Sequence, residues 1–532
     1  MTGQFGEDSD RSSEASDRNA DVVDSQPWES GQIPSVEPLG TSVDSSGSEF
    51  IWIEDSETTN IAQHPIEPNI SNGSTQLVRA DRSSRSAVST QQKNRGKFQD
   101  QTLRTETSRT RKLKACVRCR MQKIRCEIDE NDPEGTCKTC QTVTNQRLYT
   151  LPCARYKITE CTLYRTGKAP GLEFTFRWPV MKLKDINKWA GTEVREIQLQ
   201  SDVCEIPFTV SARRFLPIAQ DSLKRGWMDG KIKKFKDTTP FAIVNMASAV
   251  KDMKEYIDKN VLGCMKYFLQ DTGTLVKETY DFAVKHMERH RVNLNQGLLM
   301  GNFMRLWFAV RRTHTTEHIV GGDTLDMRPE TVDKSFPLFG KVPLPPVMIQ
   351  QLDMILTLGV LQPLRKKVLE DLQKLILSNK PSTWMTVYLI TFMSMHSCAR
   401  ISNENYKNAR KHGLKRRYAM PAFVQERHHA ANVFLSHYHY RTQPCDPFKL
   451  DWRRRHATPF AAMSEKEVMF LMRTKELVEQ KRDDFRIAKD IGLYEHELYF
   501  ISQMYEDDWQ PREIAIDFDE GTINDVPLRE YV

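Results

Sequence analysis

Three cysteines and four basic residues share the eleven-residue stretch CVRCRMQKIRC, residues 116–126. Cysteine thiolates act in redox chemistry or bind metal ions, whereas closely spaced Lys and Arg favour contact with phosphate. Three kinds of site are therefore open for this stretch: a redox site, a metal site and a nucleic-acid contact.

A second CxxC pair and a further cysteine extend the pattern. The full spacing is Cys116-x2-Cys119-x6-Cys126-x10-Cys137-x2-Cys140-x12-Cys153. A CxxC pair supplies two ligands to one tetrahedral zinc ion from a single tight turn. Six cysteines hold two zinc ions only if two of the sulfurs bridge. The spacing therefore predicts a structural centre of two Zn2+, without an open coordination position for catalysis.

The charges and the size of this module agree with a metal centre. Six thiolates outweigh the charge of two Zn2+, and cations beside them offset the difference; the candidates are Arg118, Arg120, Lys123 and Arg125. A mostly polar module of this length cannot build a core of its own. Structural zinc contributes ~10–16 kcal/mol in small domains, enough to replace that core.

The stretch CVRCRMQKIRC, followed by CKTC, resembles the fungal binuclear zinc cluster, Zn2Cys6, of gene-regulatory proteins. The resemblance implies that Cys116 and Cys137 bridge two zinc ions. It also implies one terminal ligand pair for each ion, Cys119 with Cys126 and Cys140 with Cys153. The gap before Cys153 is longer than is usual in the family, so Cys161 is the rival for the sixth ligand position.

The resemblance also implies how the module binds DNA. A short helix over residues 119–124 would point into the major groove, where Lys123 reads base edges of a CGG-like element. Arg120 and Arg125 would contact phosphate. Gln122 stands where the family often has another basic residue, and it could contact adenine or the DNA backbone.

A basic arm, RTRKLK, precedes the module at residues 109–114. Its Arg111, Lys112 and Lys114 are expected to bind phosphate without regard to sequence, with an affinity that falls as salt rises. The same run is dense enough in Lys and Arg for a nuclear-import signal, which predicts a nuclear location.

The predicted function is a zinc-dependent, sequence-specific regulator of RNA polymerase II genes in a fungus, with double-stranded DNA as its partner. Because no heptad pattern follows the cluster, the chain would bind as a monomer or dimerise through its helical region. The alternative is a zinc-stabilised protein-interaction module that has lost DNA recognition. Gln122 and the long gap before Cys153 motivate this alternative.

An enzyme is not predicted. The sequence contains no Gly-rich phosphate loop, nucleophile elbow or nucleotide fingerprint. His286 and His290 stand four residues apart in HMERH, but Glu288 is misplaced for a metalloprotease motif. The sequence therefore predicts two surface histidines there.

The charge of the chain is divided into blocks. The 532 residues carry a formal net charge of +7, yet residues 1–78 hold 15 acidic residues against 2 Arg, and residues 79–125 hold 15 basic residues against 3 acidic ones. This asymmetry predicts an acidic interaction tail beside a surface for a polyanion. The apolar island at residues 48–57, SEFIWIEDSE, is a candidate for docking to the transcriptional machinery.

The predicted fold is mainly α: a small Zn2Cys6 domain and a large all-helical regulatory domain, with a disordered N-terminal region. The predicted boundaries are a disordered region at 1–108, the cluster domain with its arm at 109–165, a linker at 166–200, the helical domain at 201–505 and an acidic tail at 506–532. The best strand signal is LEFTFRW at 172–178.

Helix signals recur through the large domain. Thr239 and Pro240 predict a helix start, and Ser464 with Glu467 predicts a capping box. Further helices are expected near 274–290, 295–312, 346–378 and 382–441. Apolar residues 384–395 are too few to span a bilayer and predict a buried helix.

Overall fold

A computed structural model of the chain describes residues 100–142, 151–168, 173–230, 232–291, 294–512 and 514. The apolar island at 48–57 and nearly all of the N-terminal region predicted to be disordered lie outside these residues. The expectations for residues 1–99 therefore stay predictions. Residues 101–108 begin the helix Gln101–Leu113, so the prediction of disorder was wrong for them.

In the described residues, three helices belong to the cysteine-rich module, residues 101–165, which packs against the larger helical region. The module contains α1 (Gln101–Leu113), α2 (Val117–Gln122) and α3 (Lys138–Gln141). The larger region contains α4 (Met246–Phe268), α5 (Thr274–Arg289), α6 (Leu294–Arg312), α7 (Pro346–Met354), α8 (Gln362–Ser378), α9 (Trp384–Lys411), α10 (Pro421–Thr442), α11 (Glu465–Gln480), α12 (Arg482–Asp490) and α13 (Tyr499–Ser502). The prediction of a mainly α fold is confirmed.

The described part of the chain also contains seven strands, which precede or interrupt the helices of the larger region. They are β1 (Trp189–Ser201), β2 (Phe208–Phe215), β3 (Lys224–Asp229), β4 (Ile232–Asp237), β5 (Phe241–Ile243), β6 (Glu317–Val320) and β7 (Val342–Pro343). Five of them form an antiparallel sheet in the order β5-β2-β1-β6-β7, and β3 pairs with β4 in a separate hairpin.

The prediction of an all-helical large domain was therefore wrong for this part of the chain. In β1, Ile197 and Leu199 are buried opposite Val210 and Phe208 of β2, while the residues between them face outward. This alternation is the period of a half-buried strand. Most of β1 falls within the range 166–200 that was expected to be a linker, so that range includes folded structure.

The segment with the best strand signal does not form a strand over its described residues, 173–178. The backbone amides of Phe174 and Thr175 donate to Gln350 Oε1, at 2.8 and 3.0 Å, rather than to a neighbouring strand. Trp178 is buried and donates its indole N–H to Lys184 O at 2.8 Å. The buried Trp178 side chain anchors an irregular coil in which Phe176 is exposed.

Two predicted helix starts have different outcomes. Thr239 was wrong as an N-cap, because Phe241–Ile243 pair with β2 and the helix begins only after Asn245, whose side chain accepts from Ser248 N at 2.8 Å. Ser464 does cap α11, and Glu467 completes the capping box by accepting from Ser464 N at 2.8 Å.

The core lies between the helices. The apolar start of α9, residues 384–399, is buried throughout, as the sequence predicted. Within the described residues, the continuous helical run Pro346–Ser378 has the length and composition to cross a membrane, but 67% of its most apolar window is buried inside the protein. This is the burial expected of a core helix.

The described part of the predicted acidic tail packs against the helices. Trp509 is fully buried and stacks on His439 of α10, with ring centroids 5.1 Å apart. Arg512 N donates to Asn432 Oδ1 at 3.3 Å. The chain up to residue 512 therefore belongs to the folded region rather than to a loosely packed tail.

Candidate metal centre

Each CxxC pair lies at the start of a short helix. Cys116 is the N-cap of α2, and its Sγ accepts from the backbone N–H of Cys119 at 3.4 Å. Cys137 is the N-cap of α3, and Cys140 lies one turn later. In this arrangement both sulfurs of a pair point from one end of a helix toward the same space. The two half-sites follow the same local plan.

The sulfurs of the two pairs converge. The Sγ–Sγ distance is 3.7 Å between Cys116 and Cys140, 3.8 Å between Cys119 and Cys137, and 4.0 Å between Cys119 and Cys140. Sulfurs bound tetrahedrally to one zinc ion at ~2.3 Å stand roughly 3.8 Å apart. All of these cysteines are free thiols. The donor set and its spacing therefore fit zinc.

The remaining two predicted ligands join the same cluster. Cys126 Sγ accepts from Cys116 N at 3.5 Å, and Cys153 Sγ accepts from Cys137 N at 3.4 Å. Cys161, the rival for the sixth position, lies instead in the main hydrophobic core. Burial raises the pKa of its thiol to about 12, which disfavours the thiolate that a metal needs.

Two arginines donate to the sulfurs. Arg118 is buried and donates to Cys140 Sγ at 3.3 Å and to Thr139 O at 3.2 Å. Arg155 donates to Cys126 Sγ at 3.5 Å. The sequence predicted that Arg118 offsets the charge of the cysteines, but it did not predict this role for Arg155. The local signal for Arg155 is its position two residues after Cys153.

The predicted base-reading residues lie at the end of α2. The predicted helix over 119–124 exists but spans Val117–Gln122, because Lys123 adopts a left-handed conformation (φ 56°) and its backbone N–H bonds back to Arg120 O. The side chains of Gln122 and Lys123 are exposed. This end of α2 is therefore open to a partner.

The other predicted phosphate contacts have mixed surroundings. The arm ends as the last turn of α1, where Arg111 and Lys112 are exposed. Lys114 forms an ion pair with Glu160, and Arg125 forms one with Glu106; all four side chains are largely exposed. Exposed ion pairs contribute little and exchange readily, so both cations can change partners.

Arg120 does not face outward as the prediction of a phosphate contact requires. Its guanidinium donates to Tyr156 O at 2.5 Å and lies 3.1 Å from His437 Nε2 of α10. His437 Nδ1 bonds to Val433 O at 2.7 Å, which leaves Nε2 as the acceptor. Burial lowers the pKa of Arg120. Arg120 thus attaches the cluster to the helical region.

Further contacts of α10 hold the segment after the cluster. The Tyr440 hydroxyl donates to Pro152 O at 2.8 Å, and Arg427 donates to Thr162 O at 2.8 Å. Arg365 of α8 donates to Cys161 O at 2.8 Å. The cysteine module is therefore fixed to α8 and α10 by side chains that lie more than 200 residues away in the sequence.

The histidines of HMERH do not both lie on the surface, so that prediction was wrong for His286. Its side chain is only 1% exposed, and His290, one turn later, is partly buried. Burial, together with the nearby His290 and Arg289, lowers the pKa of His286 to about 3, so the ring is neutral. Of the histidines of α10, His428, His437 and His439 are buried and His429 is exposed.

Comparisons with known proteins agree with a regulatory role. No solved structure matches the chain. A relative is the satratoxin biosynthesis SC3 cluster transcription factor SAT20 of Stachybotrys chartarum, 22% identical over 427 residues, which cover 76% of this chain. The chain spans 56% of the length of that relative.

The model of the KpeA transcription factor family matches residues 164–504. The match runs from the segment held by α8 and α10 to the end of α13, and it covers more than half of the chain. The cysteine cluster lies outside the matched range. The chain belongs to the KpeA transcription factor family, a family of transcription regulators.

Proposed function

We propose that this fungal transcription regulator binds DNA sequence-specifically through a Zn2Cys6 cluster that holds two Zn2+. The observation that carries the proposal is the convergence of six cysteines beside an exposed helix end with Gln122 and Lys123. A nuclear location and chromosomal DNA as partner follow from this role.

The surroundings of the cysteines support zinc rather than redox chemistry. Backbone N–H groups and the guanidinium groups of Arg118 and Arg155 approach the sulfurs, and such donors stabilise thiolates. Zinc bound there would crosslink α2, α3 and the chain at Cys153. Without it the cysteines, which form the buried centre of the module, would lose these links, and the contacts with α8 and α10 would still hold the chain after the cluster.

The exposed surface next to the cluster supports DNA as the partner. Lys123 at the end of α2 would read base edges of a CGG-like element, and Gln122 would add an adenine or backbone contact. Arg111 and Lys112 of α1 would bind phosphate, as would Lys114 and Arg125 after exchange of their carboxylate partners. Arg120 is left out of this set because α10 holds it.

Binding-site selection with the full chain, followed by affinity measurements on the selected duplex, tests the proposal. Lys123→Gln keeps a polar, somewhat shorter side chain on a non-glycine residue in the left-handed conformation, and it removes the charge. We expect a loss of about 1–3 kcal/mol of discrimination against a mutated site. Lys411→Gln, which removes an exposed charge from the helical region, is the control and should bind as the unchanged protein does.

Equal binding of matched and scrambled duplexes by the unchanged protein would contradict sequence-specific recognition. Retention of full discrimination by Lys123→Gln would contradict the role of this residue alone. Zinc content measured on the same samples separates a lost contact from an unfolded cluster.

A second candidate function is a zinc-stabilised module for intramolecular or protein contacts. The engagement of Arg120 by Tyr156 O and His437 favours it, because one predicted phosphate contact is used inside the chain. Under this alternative the selection experiment recovers no preferred sequence, while the zinc content stays intact.

A further inference from the structure

The contact between α5 and the start of α11 brings together three groups that bind metal ions in proteins. One ligand atom from each of His286, His290 and Glu467 lies within 4.8 Å of the others. His286 Nδ1 is 3.6 Å from a Glu467 carboxylate oxygen, and the two imidazole rings are 4.1 Å apart between centroids. We propose that these three side chains bind a divalent transition-metal ion of the zinc type.

The hydrogen bonds of His286 leave the correct nitrogen free for a metal. Thr386 Oγ1 donates to Gln296 Oε1 at 2.7 Å, so its oxygen accepts from His286 Nε2, 2.9 Å away. The lone pair of the neutral ring is therefore on Nδ1. This buried atom has no hydrogen-bond partner, and it faces the carboxylate. Two acceptors that face each other across 3.6 Å form a place that a shared cation can fill.

His290 and Glu467 are oriented in the same manner. His290 Nδ1 donates to His286 O at 3.0 Å, which leaves its Nε2 with a lone pair. One oxygen of Glu467 accepts from Ser464 N and Oγ in the capping box, at 2.8 and 2.7 Å, and the other is directed at His286. Hydrogen bonds that fix ligand orientation in this way are typical of metal sites.

The ligand chemistry selects the class of ion. Two imidazole nitrogens and one carboxylate suit zinc and its neighbours in the first transition row, whereas Ca2+ and Mg2+ prefer oxygen ligands alone. Donors around one tetrahedral zinc ion stand roughly 3.4 Å apart, close to the His286–Glu467 distance. The ligand atoms of the three residues lie up to 4.8 Å apart, so binding of the ion would draw them closer together.

The three ligands lie near solvent, because His290 and Glu467 are partly exposed. A cavity of about 600 Å³ is lined by Lys285, Glu288, Arg289 and Lys466, which are chain neighbours of the three ligands. These charged side chains are exposed, so water screens their repulsion of a cation. The bound ion would fasten α5 to the first turn of α11, two helices that pack side by side through Phe282 and Phe470.

Zinc content of the full chain tests the proposal. His290→Asn keeps a donor toward His286 O but removes the ligand, and Glu467→Gln keeps the capping box but removes the carboxylate charge. We expect one zinc fewer per chain by native mass spectrometry in either variant, with the helical circular-dichroism signal preserved. His412→Ala, an exposed histidine at the end of α9, is the control and should keep the full count.

Added Zn2+ gives a second readout. It should raise the thermal unfolding midpoint of the unchanged chain and of His412→Ala, whose cysteine clusters are already loaded, and leave both ligand variants unchanged. Equal zinc counts and equal midpoint shifts in all four proteins would overturn the proposal. If zinc is lost only after the cysteines are replaced, all bound zinc belongs to the cysteine cluster. This result would also overturn the proposal of a site at His286, His290 and Glu467.

Discussion

At the scale of single residues, the charge of the cluster is balanced from inside the module. Arg118 donates to Cys140 Sγ and Arg155 donates to Cys126 Sγ, so each half-site has one guanidinium group. Hydrogen bonds to charged groups contribute about 1.5–3 kcal/mol, more than those between neutral groups. These arginines are therefore expected to matter more for metal retention than for DNA.

Arg118→Gln should accelerate the loss of zinc to a chelator. Removal of the charge-assisted contact weakens the bound state by about 1.5–3 kcal/mol, or roughly tenfold to a hundredfold in zinc affinity. Competition with a coloured chelator measures this change. Arg111→Gln, which removes an exposed charge from α1, is the matched control and should retain zinc as the unchanged protein does.

The identity of the sixth ligand is a second question at this scale. Cys153 lies with the other five cysteines, whereas Cys161 is buried in the main core with a raised pKa. Cys153→Ala should therefore lower the zinc content, and Cys161→Ala should leave it unchanged, as native mass spectrometry of the full chain would measure. The reverse result would make Cys161 the ligand.

At the scale of elements, α10 holds the chain that follows the cluster. Its Tyr440 hydroxyl donates to Pro152 O, and its His437 accepts from Arg120. These contacts limit the orientation of α2 relative to the helical region. They also place Lys123, rather than Arg120, at the exposed end of that helix.

Tyr440→Phe removes one hydroxyl and keeps the ring. We expect it to lower the free energy of unfolding by about 1 kcal/mol, because the carbonyl of Pro152 loses its partner. Chemical denaturation measures the change, and amide exchange should increase first in residues 151–156. Tyr406→Phe, on the half-exposed part of α9, is the control; equal losses in the two variants would contradict a specific role for this contact.

The elements show why parts of this fold could be predicted from sequence and others could not. The cysteine cluster depends on spacing within about forty residues, and the capping box of α11 depends on four, so local patterns suffice for both. The strand β1 has a period-two signal in EIQLQ, but polar residues flank it and its partner β6 lies more than 100 residues away. The contact of Arg120 with His437 spans 317 residues, and no local pattern encodes it.

At the scale of the whole molecule, a large helical region with buried histidines packs against a small cysteine-rich module. Three histidines of α10 are buried and neutral. Burial lowers the pKa of His428 to about 3 and those of His437 and His439 to about 4. The positive charges of Arg417 and Arg427 contribute to the lowered pKa of His428, and that of Arg120 contributes to the lowered pKa of His437.

The stability of the chain should therefore fall with acidification below about pH 6.5. In that range the unfolded chain takes up protons at these histidines and the folded chain does not, until pH approaches the folded pKa values. Each group costs about 2 kcal/mol or less near pH 5. Urea unfolding at about pH 7.5 and about pH 5 measures the difference.

A variant separates the histidines from other titrating groups. His428→Gln keeps a polar side chain beside Ser402, with which His428 Nε2 makes a 2.8 Å contact, but it cannot take up a proton. Its stability should depend less on pH than that of the unchanged protein. Identical pH dependence in the two proteins would contradict the role of buried His428.

The family match and the cluster describe different parts of this regulator. Residues 164–504 belong to the KpeA transcription factor family, and the proposed DNA contacts lie before that range. The contacts of α8 and α10 with residues 152–162 join the two parts. The helical region therefore both identifies the family and supports the module that would bind DNA.

Whether DNA binding depends on zinc is tested by the affinity of the full chain for its selected duplex. The affinity is measured before chelation, after chelation and after zinc is restored. We expect binding to the matched site to be lost when the metal is removed and to return with Zn2+, while the helical circular-dichroism signal persists. Equal binding in all three states would contradict this dependence on zinc.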